Sequence, residues 1–232
     1  MNELKHKKVL VCGATGFIGA AVSFYLHRHS MEVYGTVLKG EHNSTIKKFT
    51  TEIVECDLLS RDSCYELAAF IKIKEIEYIV FAVGLVNYKA SFKQLYSSNI
   101  LTLRNFLTEL LANTDAINQV KKVVFLGSVA AYGFSKTSNV LITETVDLYE
   151  SQKSNYCDIK RNAKEVIQVF IRSGIPGIII EPGSLIGISP SKRETTNFSV
   201  IKKIIKGLPV LSGGVSYTPL YCVCKAVLQT LA

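Results

Sequence analysis

Lys8–Gly19 reads Lys-Val-Leu-Val-Cys-Gly-Ala-Thr-Gly-Phe-Ile-Gly, and this stretch decides the fold. It begins with a short apolar run that has the composition of a buried strand. Glycines at positions 13, 16 and 19 follow, and an amphipathic stretch continues to about residue 29. This order predicts a strand, a glycine turn and a helix.

Each glycine of the turn suits a position that a side chain would obstruct. Gly13 lets the chain turn sharply off the strand, and Gly16 lets backbone N–H groups approach a pyrophosphate. Gly19 lets the helix pack closely on the sheet. Because the first turn of a helix also presents unpaired N–H groups to phosphate, the stretch predicts a dinucleotide site. Three glycines alone are a weak signal, so this interpretation depends on the rest of the chain.

Further apolar segments predict five more strands, with amphipathic segments between them. The strands are predicted at 32–38, 52–55, 77–83, 123–126 and 177–180, and the helices at about 17–29, 60–72, 91–113 and 152–173. Strands that are apolar on both faces and alternate with helices are typical of a parallel sheet covered on both sides. The sequence therefore predicts an α/β fold with a doubly wound parallel (Rossmann) sheet, whose site lies at the carboxyl ends of the strands.

A polar triplet falls where such a sheet would bring its members together. Ser128 follows the fifth strand, and Tyr156 and Lys160 are four residues apart on the next helix. An ammonium group near a phenol stabilises the phenolate and lowers a pKa that starts near ~10. We therefore predict that Tyr156 exchanges a proton with substrate and that Ser128 orients a carbonyl or hydroxyl oxygen.

The Tyr-x-x-x-Lys spacing occurs four times, beginning at Tyr132, Tyr149, Tyr156 and Tyr221. Tyr132 follows Ser128 too closely, and Tyr221 lies beyond the sixth strand, so neither belongs to the helix between strands five and six. Tyr149 is the remaining rival. We favour Tyr156 because an apolar stripe along the rest of that helix is in phase with it, whereas Tyr149 precedes a segment typical of a helix start.

These motifs resemble those of the extended short-chain dehydrogenases/reductases, in the NAD-dependent epimerase/dehydratase family, and are similar to its dihydroflavonol-reductase-like branch. The matching positions are the three glycines, Asp57-Leu58, Ser128 to Gly133, and Tyr156 with Lys160. The family has a helix motif Asn-x-x-Gly-Thr-x-Asn. Its two asparagines are present here as Asn99 and Asn105, and its Gly-Thr pair is not.

The resemblance implies a role for each of these positions. The catalytic set would be Ser128, Tyr156, Lys160 and Asn99, with Lys160 lowering the tyrosine pKa and binding the nicotinamide ribose, and Asn99 supporting Lys160 through a water. The implied cofactor site consists of Gly13, Thr15, Gly16, Phe17, Ile18, Gly19, Lys39, Asp57, Leu58, Val83, Gly84, Tyr156, Lys160 and Pro182.

The substrate half departs from the family pattern more than the cofactor half does. Glu181-Pro-Gly stands where the family has Arg-Pro-Gly, which puts a carboxylate where a cation is expected. The segment after strand four keeps only Gly84 of a His-x-Ala-Gly pattern, and Pro219 and Cys222 replace two aspartates near the C terminus. The residues that select a substrate fall in the loops at 84–96, 133–150 and 184–220, which carry no recognisable motif.

The end of the second strand favours NADP over NAD as the cofactor. An NAD site usually has an acidic residue there to accept a hydrogen bond from the ribose, whereas an NADP site has a cation for the 2′-phosphate. Val37 occupies the acidic position and Lys39 follows, with Lys47 and Lys48 nearby. The alternative is that these lysines form an ordinary solvated surface.

Composition excludes several other classes of protein. The chain has 232 residues and a net charge of +8, but its 27 basic residues are scattered, so we expect no nucleic-acid partner. Without an apolar run of about 18 residues or an N-terminal signal segment, we expect no membrane span and a cytoplasmic location. The six cysteines have no zinc-ligand spacing, so no metal site is expected.

We divide the chain into an NAD(P)-binding Rossmann domain at 1–183 and a partial, substrate-binding lobe at 184–232. The second segment is rich in loop residues, and family members with this layout usually continue further, so we expect a reduced or truncated lobe.

The sequence thus predicts an NAD(P)-dependent oxidoreductase or epimerase that acts on a carbonyl or carbinol carbon. Its substrate would be a small molecule, with a nucleotide sugar among those that the resemblance implies. The resemblance also implies a homodimer formed through the helices that carry Asn99 and Tyr156. A second hypothesis is a non-catalytic regulator or scaffold that binds NADP(H); the altered substrate half motivates it, and the retained Ser-Tyr-Lys set argues against it.

Overall fold

Six parallel strands form the central sheet of the molecule. The computed structural model describes residues 2–133, 143–144, 154–191, 202, 205–207 and 217–232. The strands are β1 (Lys8–Cys12), β2 (Glu32–Val37), β3 (Glu52–Glu55), β4 (Tyr78–Phe81), β5 (Lys122–Leu126) and β6 (Gly177–Ile180). Their spatial order is β3-β2-β1-β4-β5-β6. The chain therefore winds outward from β1 in both directions, which confirms the predicted doubly wound sheet.

The strands are apolar on both faces because each face is covered. Alternate residues of β1 enter different layers: Leu10 packs in one core cluster with Ile79 and Phe125, while Val9 and Val11 pack in the other. In register, Leu10 lies beside Ile79 of β4, which in turn lies beside Val123 of β5. Two hydrophobic layers thus hold the sheet in place and fix where its carboxyl edge lies.

Seven α-helices are present in the described ranges. They are α1 (Phe17–Arg28), α2 (Arg61–Ile73), α3 (Phe92–Tyr96), α4 (Thr102–Ala112), α5 (Thr114–Gln119), α6 (Asn155–Arg172) and α7 (Leu220–Leu231), with short 3-10 turns at Asn2–Leu4, Ile46–Lys48 and Val129–Tyr132. The side chains of Ser60, Ser91 and Ser154 accept hydrogen bonds from backbone N–H groups at the starts of α2, α3 and α6. These serines define where the helices begin.

The predicted helix at 91–113 is interrupted. A π-helical turn, Ser97–Leu101, separates α3 from α4, and Asn99 lies within it. After α4, the side chain of Asn113 caps α5, a helix that the sequence pattern did not predict. Turns of the π type are rare and often occur at functional sites, so the interruption draws attention to Asn99.

The C-terminal segment contributes to the main core. Strands β7 (Ser184–Ile186) and β8 (Tyr217–Pro219) form a separate parallel pair. The helix that follows, α7, buries Val227 and Leu231 in the same cluster as Val9 and Val11 of β1. The division into two domains at residue 183 remains a prediction. The helix α7, which belongs to the second of them, covers one face of the central sheet. No helix in the described part of the chain is long and apolar enough to cross a membrane.

Candidate active site

The glycine turn after β1 has the geometry that its sequence predicts. Gly13 has φ +78°, and a Cβ there would lie 3.0 Å from the side chain of Val83. A Cβ on Gly19 would lie 2.1 Å from the carbonyl oxygen of Gly13, so only glycine allows α1 to approach the turn this closely. A Cβ on Gly16 would have a single close neighbour, that same oxygen at 3.2 Å, and is otherwise open.

The start of α1 is free to meet an anion. Gly16 is the N-cap residue and supplies no side chain to bond the first N–H groups of the helix. The turn is anchored on its other side, because the N–H of Gly13 donates to the hydroxyl of Thr36 at 3.0 Å. An open glycine before an uncapped helix N-terminus fits a phosphate group, so these residues fit the pyrophosphate of a dinucleotide. Sequence reasoning missed Thr36, whose strand pattern carries no sign of this contact.

The other residues predicted to bind the cofactor lie along the same edge of the sheet. Asp57 follows β3 and is exposed, with its carboxylate accepting a hydrogen bond from the N–H of Leu59 at 2.9 Å. Lys39 is exposed beyond β2, while Val83 and Gly84 follow β4. The remaining members are Thr15, Leu58 and Pro182, which are buried, and Phe17 and Ile18, which are half-buried at the first turn of α1.

Ser128 and Tyr156 come together as the sequence predicts. Ser128 begins the 3-10 turn after β5, and its hydroxyl accepts a hydrogen bond from the N–H of Ala130 at 3.2 Å. Tyr156 lies in the first turn of α6 and is only 4% exposed, and the hydroxyl of Ser128 lies near enough to lower its pKa in part. The loop after β5 and the start of α6 thus bring an alcohol and a phenol close together.

Lys160 lies beneath this pair, next to Gly84 and Asn99. Its Nζ is 5.6 Å from the centroid of the Tyr156 ring. A Cβ on Gly84 would lie 2.7 Å from Asn99 Oδ1 and 3.3 Å from Lys160 Nζ, so the three residues meet at one point. Burial lowers the pKa of Lys160 to about 8.

The π-helical turn directs Asn99 into this cluster. Its Nδ2 donates to the carbonyl oxygens of Leu95, at 2.9 Å, and Leu85, at 3.3 Å. Its Oδ1 is buried and has no hydrogen-bond partner among the residues that the structure describes. A buried acceptor without a partner is costly, and here it faces the small cavity that Asn99 and Lys160 both line. The cavity has the polar groups that a buried water needs.

The expected lowering of the Tyr156 pKa is wrong for this structure. Burial raises the pKa of Tyr156, the nearby Tyr88 raises it further, and the hydrogen bond from Ser128 lowers it only in part. The ammonium of Lys160 is itself deeply buried, so desolvation works against charge on both groups. The spacing of the triplet was predictable from the sequence, but the depth of its burial was not.

Comparison with known proteins settles the family. The sequence model of the NAD dependent epimerase/dehydratase family matches residues 9–218. This chain belongs to that family. Its members use a nicotinamide dinucleotide, which agrees with the geometry of the glycine turn. No curated protein sequence matches the chain.

Solved structures resemble this epimerase/dehydratase chain in fold. Gox2253 superposes with a TM-score of 0.80 at 24% identity, over 97% of this chain and 66% of its own. UDP-glucose-4-epimerase from Stenotrophomonas maltophila, with bound NAD and formylated UDP-arabinopyranose, gives 0.76 at 20% identity over 97% and 74%. The terminal R domain of the myxalamid PKS-NRPS pathway gives 0.75 at 20% identity over 97% and 62%. The chain thus spans about two thirds of the length of these structures.

Two features of this family member were not predicted from its sequence. Tyr88, in the loop after β4, packs its ring against that of Tyr156, with the centroids 4.9 Å apart. Lys164, one turn after Lys160, contacts Glu181 and Tyr132. The i+4 spacing from Lys160 could have drawn attention to Lys164. The loop that carries Tyr88 has no pattern that could have identified it.

Two of the three competing tyrosines, Tyr132 and Tyr221, lie in the described part of the chain. Tyr149 and its lysine lie outside the described residues, so the preference for Tyr156 stays a prediction. Tyr221 is exposed on α7, and Tyr132 lies in the 3-10 turn after β5 and accepts a hydrogen bond from Lys164. Within the described residues, no group of three His, Cys, Asp or Glu side chains is arranged to hold a metal ion.

Proposed function

We propose that this chain is an NAD(P)-dependent oxidoreductase or epimerase that acts on a carbonyl or carbinol carbon through Ser128, Tyr156 and Lys160. The observation that carries the proposal is the proximity of Ser128 to the buried Tyr156, whose ring centroid lies 5.6 Å from Lys160 Nζ. This group lies at the same sheet edge as the open glycine turn. A bound nicotinamide would supply the hydride in reduction and accept it in oxidation, while the chain would give or take the accompanying proton.

Each side chain has one task in this proposal. Ser128 donates a hydrogen bond from its hydroxyl to the substrate oxygen and so holds the reacting carbon in position. Tyr156 gives a proton to that oxygen in reduction and takes one in oxidation. Lys160 binds the nicotinamide ribose and, when protonated, would oppose the rise in the Tyr156 pKa that burial causes. Asn99 supports Lys160 through a water held in the cavity between them.

Support for NADP as the preferred cofactor comes from the end of β2. The acidic position that would bind the ribose of NAD is occupied by Val37, which is buried, and the exposed Lys39 follows. A lysine ammonium can pair with the 2′-phosphate of NADP. We therefore propose a site that binds NADP more tightly than NAD.

A nucleotide sugar is the substrate class that we propose for the carbinol or carbonyl carbon. The similar epimerase from Stenotrophomonas maltophila binds a formylated UDP-arabinopyranose. The net charge of +8 favours an anionic substrate of this type. We also propose a homodimer formed through the helices that carry Asn99 and Tyr156.

The experiment that tests the catalytic proposal compares two tyrosines that each precede a lysine by four residues. Tyr156→Phe should reduce turnover of a carbonyl substrate with NADPH by at least 100-fold, while cofactor affinity stays within about threefold. Tyr221→Phe is the matched control, because Tyr221 also precedes a lysine by four residues but is exposed on α7. Full turnover by Tyr156→Phe would transfer the role to Tyr149 or refute the proposal.

A non-catalytic NADP(H)-binding regulator or scaffold is the second candidate. It is favoured by the burial of Tyr156, whose phenol is covered and whose pKa is raised. A screen of carbonyl compounds and nucleotide sugars with NADPH and NADH separates the two candidates. Tight cofactor binding with no turnover of any compound would favour the scaffold.

A further inference from the structure

Lys164, Glu181 and Tyr132 form a closed triangle of hydrogen bonds beside the proposed site. Lys164 Nζ donates to Glu181 Oε2 at 2.8 Å and to the Tyr132 hydroxyl at 2.7 Å. The Tyr132 hydroxyl donates to the same carboxylate oxygen at 2.8 Å. The ammonium also lies 4.0 Å from the centroid of the Tyr132 ring. Every member of the triangle therefore contacts the other two.

The triangle is shielded from solvent. The side chains of Lys164 and Glu181 are 11% and 12% exposed, whereas the ion pair of Lys74 with Glu52 has partners that are 37% and 42% exposed. Exposed ion pairs contribute little to stability, but removing one partner of a shielded pair leaves an isolated charge. The geometry of the triangle is therefore strongly constrained.

The three residues come from the three segments that surround the Ser128–Tyr156 contact. Tyr132 ends the 3-10 turn that Ser128 begins. Lys164 lies on α6, eight residues after Tyr156, which is about 12 Å along the helix. Glu181 follows β6 directly. The triangle links Tyr132, at the end of the turn, to Lys164, in the middle of α6. It therefore fixes how Ser128, at the start of the turn, lies against Tyr156, at the start of the helix.

The two neighbouring lysines of α6 have opposite electrostatic surroundings. Burial alone would lower the pKa of Lys164, but its hydrogen bonds to Glu181 and Tyr132 outweigh that effect and the pKa is raised. Burial lowers the pKa of Lys160 because no described contact compensates it in the same way. Lys164 thus remains charged and bonded at pH values where Lys160 titrates.

We propose that Lys164, Glu181 and Tyr132 are positioning residues that hold the Ser128 turn against α6 and thereby keep Ser128 next to Tyr156. The inference depends on the proposed function only for the catalytic role of those two residues. It also accounts for the carboxylate at position 181, where the family pattern has arginine. Lys164 provides the cation that makes a carboxylate acceptable there.

The test reverses the charges one at a time and then together. Lys164→Glu and Glu181→Lys each place two like charges in contact, and the double variant restores an opposite pair. We expect each single variant to lose about 10- to 100-fold in kcat, with KM changed less than threefold, because a small misplacement of Ser128 impairs the reaction. The double variant should recover to within about fivefold of the original chain.

A second readout does not require turnover. Because Tyr156 is buried next to the turn, a displaced turn should change the surroundings of its ring, so the ring resonances should shift in both single variants. These resonances are followed at neutral pH by NMR of ring-labelled tyrosine and assigned by comparison with Tyr156→Phe. An inactive chain would refute the proposed function, yet the ring resonances would still decide the positioning role.

Two further variants keep the test decisive. Lys74→Glu with Glu52→Lys reverses the exposed pair and should leave both kcat and the Tyr156 ring resonances unchanged. If the buried single variants do not fold, Tyr132→Phe removes only one hydroxyl and should shift the Tyr156 resonances as well. The positioning role is refuted if Tyr132→Phe leaves those resonances unaltered, or if a folded double variant recovers neither readout.

Discussion

The ring of Tyr88 covers the ring of Tyr156, with the centroids 4.9 Å apart and the ring planes at 57°. Tyr88 is 61% exposed and Tyr156 is 4% exposed, so the loop residue shields the buried phenol from solvent. We therefore expect a substrate of Tyr156 to contact or displace Tyr88.

Removal of the Tyr88 ring should lower the pKa of Tyr156. Burial and the proximity of Tyr88 both raise that pKa, and Tyr88→Ala weakens both effects. The limb of the pH–rate profile that reports the tyrosine should move to lower pH. Tyr88→Phe should change it less because the covering ring is retained, and Tyr65→Ala, at an equally exposed tyrosine on α2, should leave it in place. An unmoved limb in Tyr88→Ala would contradict this account.

Lys160→Met should stabilise the protein below pH 8 while reducing its activity. The folded-state pKa of Lys160 is about 8, against an ordinary value of 10.5, so the unfolded chain binds more protons between these values. Stability of the original chain therefore rises with pH across that window. The gain from Lys160→Met should be on the order of 3 kcal/mol at pH 7 and should diminish towards pH 10.5.

Urea denaturation at pH 7 and at pH 10 measures the Lys160→Met gain. Lys225→Met, at the exposed lysine of α7, is the control and should have almost no effect on the free energy of unfolding at either pH. A gain that is independent of pH would mean that improved packing, and not the buried charge, is responsible.

Alanine substitutions at two glycines of the turn should have different consequences. Gly19→Ala places a Cβ 2.1 Å from a backbone oxygen and should destabilise the fold by about 3 kcal/mol. Gly16→Ala meets its nearest atom at 3.2 Å, so the chain should fold normally but bind cofactor about tenfold more weakly. Thermal denaturation and titration with NADPH distinguish the two effects, and equal losses of stability would show that the turn is not specialised in this way.

Replacement of Lys39 should alter the choice between the two nicotinamide cofactors. Lys39→Asp removes a cation and adds a carboxylate at the end of β2, so affinity for NADPH should fall about 10- to 100-fold while that for NADH is kept or improved. Lys47→Asp serves as the control on the neighbouring surface. If both variants weaken NADPH binding equally, the preference for NADPH over NADH depends on the overall positive charge of this surface and not on a specific contact with Lys39.

The parts of the fold that sequence predicted are those determined locally. The passage from β1 through the glycine turn into α1 follows from apolar composition, glycine spacing and helical periodicity within some twenty residues. The pairing of Ser128 with Tyr156 followed from the sheet order, because the carboxyl ends of neighbouring parallel strands share one edge.

Other features depend on contacts between residues distant in sequence. The π-helical turn at Asn99 interrupts a segment whose apolar periodicity is unbroken, so the pattern predicted a continuous helix. The raised pKa of Tyr156 depends on burial, and its cover, Tyr88, comes from a loop without a motif. Burial and side-chain orientation of this kind are set by tertiary packing and leave no local signature.

The ion pair between Lys164 and Glu181 also constrains which substitutions this protein can tolerate. Grafting the Arg-Pro-Gly segment typical of the family onto this chain would set a guanidinium against the Lys164 ammonium, in a place where an unmatched charge is poorly tolerated. A change of charge at either position therefore requires a matching change at the other. Chimeras and ancestral reconstructions of this lineage must exchange helix α6 and the end of β6 together.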